Sequence, residues 1–232
     1  MRISVRLFAG LRERAGAGTI EVDLPDGARA GDLLAAMAGT PVGALEPGQC
    51  IVAVNREYAQ PDVPVTPGDE VALIPPVSGG GGGGGRAGDR VRRVRVTREP
   101  LDLAALSAAV RDPRAGAVVC FEGVTREVPH LEYEAYAEMA EPRLRAIAAE
   151  EAERHGLCAV AVEHRTGDVA LGEPSVIVAV SGAHRGEAFT GARAVIDRVK
   201  AEAPIWKVEV SSAGARRVEG TLPPLSRGNR VP

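Results

Sequence analysis

The first third of the chain carries a pattern of apolar and polar residues whose period changes along its length. The segment MRISVRLF at residues 1–8 alternates apolar with polar or charged positions, which is typical of a half-buried strand. The Ala/Leu-rich segment near residues 30–38 indicates a helix instead, with Asp32 in its first turn. In chain order, the pattern predicts strands at residues 2–8 and 19–24, that helix, and strands at residues 50–54 and 70–74.

The order strand, strand, helix, strand, strand is that of a ubiquitin-like β-grasp domain. The tetrapeptide TPGD at residues 66–69 predicts the turn before the last strand, because proline and glycine suit tight turns. The last strand runs into PPVSGG at residues 75–80, which two prolines stiffen and two glycines end. This segment could project as a thin arm able to enter a narrow pocket, and an ordinary interdomain linker explains its composition equally well.

A run of seven glycines, Gly79 to Gly85, divides the chain. Because glycine has no side chain to pack and the greatest backbone freedom, we expect a flexible tether here. The predicted organisation is a domain at residues 1–80, a linker at 81–92, a second domain at 93–220 and a mobile tail at 221–232.

The second half alternates strand and helix patterns. Met139, Leu144 and Ile147 share one helical face, which indicates core packing, and Pro204 is expected to end the last helix. The predicted strands are residues 94–97, 115–121, 131–136, 159–164 and 175–181, and the predicted helices are residues 101–110, 138–155 and 186–202. The predicted fold class is therefore α+β, with a β-grasp domain tethered by the poly-Gly linker to an α/β domain.

Composition narrows the range of functions. A net charge of -3, with no basic stripe interleaved with aromatics, argues against nucleic-acid binding. The three cysteines are far apart and lack metal-ligand spacing, so we expect no disulfide framework, no metal site and a cytoplasmic location. The N-terminus lacks the apolar core of a signal peptide, and no apolar run is long enough for a membrane span.

Lysine is the most informative residue type in the chain. Of the 28 basic residues only Lys200 and Lys207 are lysines, and they lie seven positions apart around the single tryptophan and Pro204. Arginine near neutral pH neither donates a proton nor attacks as an amine, whereas lysine can do both when its environment tunes it. One lysine alone would most simply be a solvated surface residue, but the pairing favours an active site. Lys200 is expected in the last turn of a helix and Lys207 in the extended segment beyond, so the two could converge on one pocket.

The first domain resembles the small sulfur-carrier subunit of molybdopterin synthase over essentially all of residues 1–80. The resemblance rests on LFA at 7–9, LRE at 11–13, VN at 54–55, GDEV at 68–71 and PPVSGG at 75–80. It implies that the carboxylate of Gly80 is adenylated by an activating enzyme and converted to a thiocarboxylate, the sulfur donor.

The second domain resembles the large catalytic subunit of the same enzyme from about residue 95 to 219. The matching motifs are FEGVTR at 121–126, LEYEAY at 131–136, HRTG at 164–167, AHR at 183–185 and PIWKVE at 204–209. The resemblance implies transfer of two sulfurs to cyclic pyranopterin monophosphate, which gives the dithiolene of molybdopterin. Lys200 and Lys207 match the family's active-site lysines, and Arg126, His184 and Arg185 are the candidates for binding the substrate phosphate.

The resemblance further implies a homodimer formed through the catalytic domain and no resident cofactor. His164 and Arg165 also match a family motif, although a structural hydrogen bond at a strand end is the stronger interpretation of that pair. The loop between Arg126 and Leu131 is shorter than is usual in the family.

The fusion of the two patterns in one chain raises a chemical difficulty. While Gly80 is joined to Gly81 its carbonyl is an amide, so either the chain is cut after Gly80 or the fused form is an inactive precursor. The competing hypothesis is non-enzymatic: a ubiquitin-like sulfur carrier or protein-binding module whose second domain serves for docking and dimerisation.

Overall fold

The computed structural model describes residues 1–45, 49–76, 90–126, 130–211 and 214–217. These residues divide into two compact units, whose described parts are residues 1–76 and 90–217. Gly80, the predicted linker as far as residue 89 and the predicted tail at 221–232 lie outside the described residues.

The first unit is a five-stranded sheet with two short helices. Its elements are β1 (Arg2–Leu7), α1 (Ala9–Ala15), β2 (Thr19–Asp23), α2 (Ala30–Ala36), β3 (Ile51–Val54), β4 (Glu57–Tyr58) and β5 (Val71–Ile74). The strands lie in the order β2-β1-β5-β3-β4, with β1 and β5 parallel and the other pairs antiparallel. The predicted β-grasp fold is thereby confirmed.

The alternation that predicted β1 sets the core of this unit. Ile3, Val5 and Leu7 are buried, and they pack in one cluster with Leu33 and Met37 from α2 and the short helical turn that follows it. Asp32 does lie in the first turn of α2, where its carboxylate accepts a hydrogen bond of 2.8 Å from the backbone N–H of Arg29.

The turn before β5 forms as predicted from TPGD. Gly68 has a φ of +100°, which side chains rarely adopt, and the Asp69 carboxylate accepts hydrogen bonds from the Thr66 backbone N–H and hydroxyl. Helix α1 was not predicted from the pattern. It has only seven residues and a single leucine, and Gly16 ends it in the left-handed conformation.

The second unit contains two four-stranded sheets and three helices. Its elements are β6 (Val91–Thr97), α3 (Leu103–Ala109), β7 (Ala117–Val124), β8 (His130–Ala135), α4 (Ala137–Arg154), β9 (Ala159–Arg165), β10 (Gly167–Ala170), β11 (Pro174–Gly182), α5 (Arg185–Glu202), β12 (Ile205–Ser211) and β13 (Gly214–Arg217). The sheet orders are β6-β9-β11-β7 and β10-β8-β12-β13. Because β6 begins at Val91, residues 91 and 92 belong to a strand and not to the predicted linker.

Helices cover both faces of the first of these sheets. Val160 and Val178 pack with α4 and α5, whereas Ala161, Ile177 and Ala179 pack with α3. This double coverage explains why β9 and β11 read as uninterrupted apolar runs. None of the helices that the structure describes has both the length and the apolar character needed to cross a bilayer.

Candidate active site

A cavity of about 300 Å³ opens in the second unit where the end of α5 meets β8 and β12. Aliphatic side chains from α5, β8 and β11 form part of its wall. Its polar side chains come from several elements, and they are Arg126, Tyr133, His164, Ser175, Lys200 and Lys207. The cavity is therefore lined by both cationic and neutral polar side chains.

Lys200 reaches the cavity from the last turn of α5. Val195 and Val199 fix the helix against the sheet through the main core, and Lys200 lies on the exposed side of the same turn. The helix ends at Glu202, just before Pro204, as the sequence predicted. The position of Lys200 is thus set by the buried face of a long helix and not by a loop.

Lys207 reaches the cavity from β12. Ile205 and Lys207 line the cavity, whereas the intervening Trp206 is buried and points to the other side of the strand. In the sheet, Lys207 lies directly opposite Tyr133 of β8. The two lysines that the sequence singled out therefore converge on one cavity from different elements.

Arg126 follows the end of β7 and also lines the cavity. It is exposed, and residues 127–129 of the shortened loop lie outside the described residues. Three cationic side chains thus face one cavity, which is an arrangement suited to an anionic ligand.

His184 and Arg185 are at the other end of α5. His184 immediately precedes the helix and its backbone N–H donates to the carboxylate of Glu187, 3.1 Å away. Lys200 is sixteen residues further along, so at 1.5 Å per residue the two positions are about 24 Å apart. Both His184 and Arg185 are exposed, and neither lines the cavity. Within one chain the structure does not bring them together with the lysines.

His164, which the sequence suggested to be structural, makes the expected strand-end hydrogen bond: its Nδ1 lies 2.7 Å from the backbone carbonyl of Arg165. The same side chain lines the cavity, and the Tyr133 ring meets it edge-on with 5.2 Å between ring centroids. Burial lowers the pKa of His164 to about 4 against the opposing effect of the Arg165 carbonyl, and the nearby charge of Lys200 lowers it further. The imidazole is therefore neutral at physiological pH.

A buried ionic network supports the end of α5. The Arg198 guanidinium contacts carboxylates of Glu150, Glu151 and Glu202 at 2.6 to 2.8 Å, and Arg143 also pairs with Glu202. Burial lowers the pKa of Arg198, but hydrogen bonds to Glu202 and Glu151 outweigh that effect and raise it overall. The sequence analysis missed this network, although the i,i+4 spacing of Arg198 and Glu202 was a visible signal. The network holds α5 to α4 two residues before Lys200.

Potential metal-ligating side chains do not cluster in the part of the chain that the structure describes. No group of three or more histidine, cysteine, aspartate or glutamate side chains is placed there to hold a metal ion. Cys50, Cys120 and Cys158 are unpaired, and burial raises the pKa of the Cys50 thiol to about 12.

Two protein-family models match the chain, one for each unit. The model described as MoaE protein matches residues 96–202, which include Arg126, His164, His184 and Lys200. The model of the ThiS family matches residues 5–80.

Individual relatives match the second unit. A molybdopterin synthase catalytic subunit from Oryza sativa subsp. indica is 49% identical over 120 residues, which cover 49% of this chain and 62% of that protein. The subunit from Thermoplasma volcanium is 40% identical over 127 residues, which cover 52% of this chain and 93% of that protein. The matched segment thus spans less than two thirds of the rice relative and nearly all of the archaeal one.

A solved structure agrees with these matches. The crystal structure of molybdopterin synthase from Staphylococcus aureus superimposes with a TM-score of 0.52 at 32% sequence identity, and the match covers 54% of this chain and 96% of that one.

Proposed function

Because the chain belongs to the family of molybdopterin synthase catalytic subunits and also carries a ThiS-family domain, we propose that it is a molybdopterin synthase with its sulfur carrier fused in front. The reaction is the transfer of two sulfurs to cyclic pyranopterin monophosphate. The observation that carries this proposal is the convergence of Lys200, Lys207 and Arg126 on one cavity of the second unit.

The charges around the cavity suit both reactants. The substrate carries a phosphate and the donor carries a thiocarboxylate, and Arg126, Lys200 and Lys207 supply compensating positive charge. In each transfer a carbon–sulfur bond forms on the substrate and an oxygen leaves it. Water then cleaves the acyl–sulfur bond, and the carrier departs with an ordinary carboxylate. Either lysine can hold the thiocarboxylate, protonate the departing oxygen or link transiently to the acyl group, and no resident cofactor is needed.

The sulfur is delivered on Gly80. That role requires a free carboxylate, so we propose that the chain is cut after Gly80 and that a separate adenylating, sulfur-loading enzyme activates the new terminus. The ThiS-family match ends at residue 80, in agreement with this position.

We also propose that the catalytic domain forms a homodimer in the cytoplasm. Several large apolar side chains are exposed in the second unit, among them Val118, Val124 and Phe189. In a dimer, a second copy can bring His184 and Arg185 to a cavity that they do not reach in their own chain. The unpaired cysteines fit a reducing compartment.

The non-enzymatic alternative gains no support from the site. A docking platform has no need to bring the only two lysines of the chain together in a concave, cation-lined cavity. The catalytic proposal therefore accounts for an arrangement that the alternative leaves unexplained.

The deciding experiment supplies the full-length protein with the pterin substrate and a carrier whose terminal glycine is already a thiocarboxylate, which bypasses cleavage and activation. Wild-type protein is expected to form the dithiolene, and Lys200→Ala and Lys207→Ala are expected to lose most of that activity. Failure of the wild type to form any dithiolene refutes the enzyme and returns the chain to the carrier-module hypothesis.

A further inference from the structure

One wall of the cavity consists of neutral polar side chains that none of the roles above uses. Tyr133, His164 and Ser175 form this neutral wall. Tyr133 faces the cavity from β8, His164 from β9, and Ser175 from the start of β11.

Ser175 points into the cavity because the sheet is irregular at that position. Pro174 pairs with Val124 and Val176 pairs with Gly123, so Ser175 is an extra residue in a β-bulge. A side chain at Gly123 would place its Cβ 2.6 Å from a Val176 methyl, so any larger residue opposite the bulge would force Val176 to shift. The bulge and Gly123 together direct a buried hydroxyl toward the ligand space.

The hydrogen bonds of the wall have a fixed direction. The backbone carbonyl of Gly123 can only accept, so the Ser175 hydroxyl, 3.1 Å away, must donate its proton to it. The Tyr133 hydroxyl, 3.1 Å from the Ser175 Oγ, must then donate to the serine. Since its proton is committed, the Tyr133 oxygen offers only lone pairs to a ligand.

His164 presents the same polarity. Its Nδ1 is committed to the carbonyl of Arg165, which can only accept, so Nδ1 carries the proton. In the neutral ring Nε2 then carries a lone pair. The edge-on contact with the Tyr133 ring holds the imidazole in place. The neutral wall therefore offers two fixed hydrogen-bond acceptors.

Resting on the proposed function, we propose that the neutral wall selects the reduced form of the substrate's fused heterocycle by accepting hydrogen bonds from its ring N–H groups. The cationic residues Arg126, Lys200 and Lys207 bind the anionic groups of the reactants, and the neutral wall contacts the uncharged heterocycle of the substrate. Oxidation to the fully aromatic ring converts ring N–H donors into lone-pair acceptors. Those lone pairs would face the lone pairs of Tyr133 and His164, so the oxidised form is rejected.

The test compares binding of the reduced and the oxidised cyclic pyranopterin monophosphate to full-length protein under anaerobic conditions, by calorimetry. Wild-type protein is expected to bind the reduced form at least about ten-fold more tightly. Tyr133→Phe keeps the ring and its contact with His164 but removes one acceptor, so it should reduce this preference several-fold. Ser175→Ala frees the Tyr133 proton to donate, so it should improve binding of the oxidised form relative to the reduced form.

Inorganic pyrophosphate serves as the control ligand for the cationic residues alone. Its affinity should fall in Arg126→Ala and remain unchanged in Tyr133→Phe and Ser175→Ala. If the wild type binds both ring forms equally, or if neither wall variant changes their ratio, the inference is wrong. Turnover of the reduced substrate by the wild type is measured in parallel, so absence of turnover identifies a failure of the proposed function separately from a failure of the wall.

Discussion

The ammonium nitrogen of Lys200 lies 5.8 Å from the centroid of the Phe121 ring, above a half-buried side chain of β7. This cation–π contact links the last turn of α5 to β7, the strand whose Gly123 and Val124 line the cavity. It restrains the long, flexible side chain of Lys200. Phe121→Leu keeps an apolar side chain but removes the ring, so sulfur transfer should slow about two- to five-fold, the equivalent of one such contact. The measurement is dithiolene formation at saturating thiocarboxylated carrier, and an unchanged rate would show that the ring does not position Lys200.

Substitution of the lysines by arginine separates charge from chemistry. Lys200→Arg and Lys207→Arg keep the positive charge and most of the length, but an arginine neither transfers a proton nor forms a covalent link near neutral pH. If either amine reacts, its arginine variant should fail almost as badly as its alanine variant in the same assay. Full turnover by both arginine variants would show that the two lysines only attract anions and take no part in the chemistry.

Complementation between chains tests the roles of His184 and Arg126. Loss of a charge-assisted contact to the phosphate costs roughly 1.5 to 3 kcal/mol, so Arg126→Ala and His184→Ala should each bind the substrate more weakly. Because His184 is about 24 Å from Lys200 in its own chain, we expect it to act on the cavity of a second copy if it binds the substrate. Equal mixing of Lys200→Ala and His184→Ala chains should then restore about a quarter of the sites, since half the dimers contain one intact site. Mixtures with no recovered activity would return His184 to a structural role at the start of α5.

The convergence of the two lysines shows which features of the site could be predicted from the sequence. Helix α5, its end before Pro204 and the extended segment carrying Lys207 all follow from periodicity and proline chemistry. The sequence therefore allowed the two lysines to converge, and the structure shows that both line one cavity. The distance of His184 from the cavity of its own chain was not recognised, because the order of motifs along a sequence carries no distance. The separation of His184 from Lys200 follows from the unbroken helix α5, which the predicted helix at residues 186–202 already implied.

The neutral wall was missed for a local reason. A single extra residue at Ser175 changes which side chains face the cavity, and periodicity cannot reveal an insertion whose partner strand is unknown. Strand β10 was missed because only Val169 among its four residues is buried, which leaves no alternation to detect. The bulge at Ser175 and strand β10 both depend on pairing with strands that are distant in the sequence.

Processing at Gly80 is tested on the protein as cells make it. We expect the mass spectrum of the protein from cells that synthesise molybdenum cofactor to contain a fragment ending at Gly80, part of it as a thiocarboxylate. Deletion of Gly80 should abolish sulfur transfer and leave the folding of both units unchanged, since each unit has its own hydrophobic core within residues 1–76 or 90–217. Recovery of only the intact chain from such cells would contradict cleavage.

Acid stability tests the state of His164. In the folded protein burial lowers its pKa from 6.5 to about 4, so as the pH falls the unfolded chain takes up the proton first. The free energy of unfolding should therefore decrease as the pH falls through the window from 6.5 to 4, by about 2 to 3 kcal/mol between pH 7 and pH 4.5 from this residue alone.

The measurement isolates that contribution in two ways. Trp206 is the single tryptophan and is buried in the second unit, so its fluorescence during urea unfolding reports on that unit alone. The His164→Gln variant has no imidazole to protonate and retains every other titrating group, including Lys200 and Tyr133. Its stability should therefore decline less than that of the wild type over the same pH range, whatever its stability at pH 7. Parallel curves for the two proteins would mean that His164 is not held neutral, and the hydrogen-bond polarity assigned to the cavity wall would lose its basis.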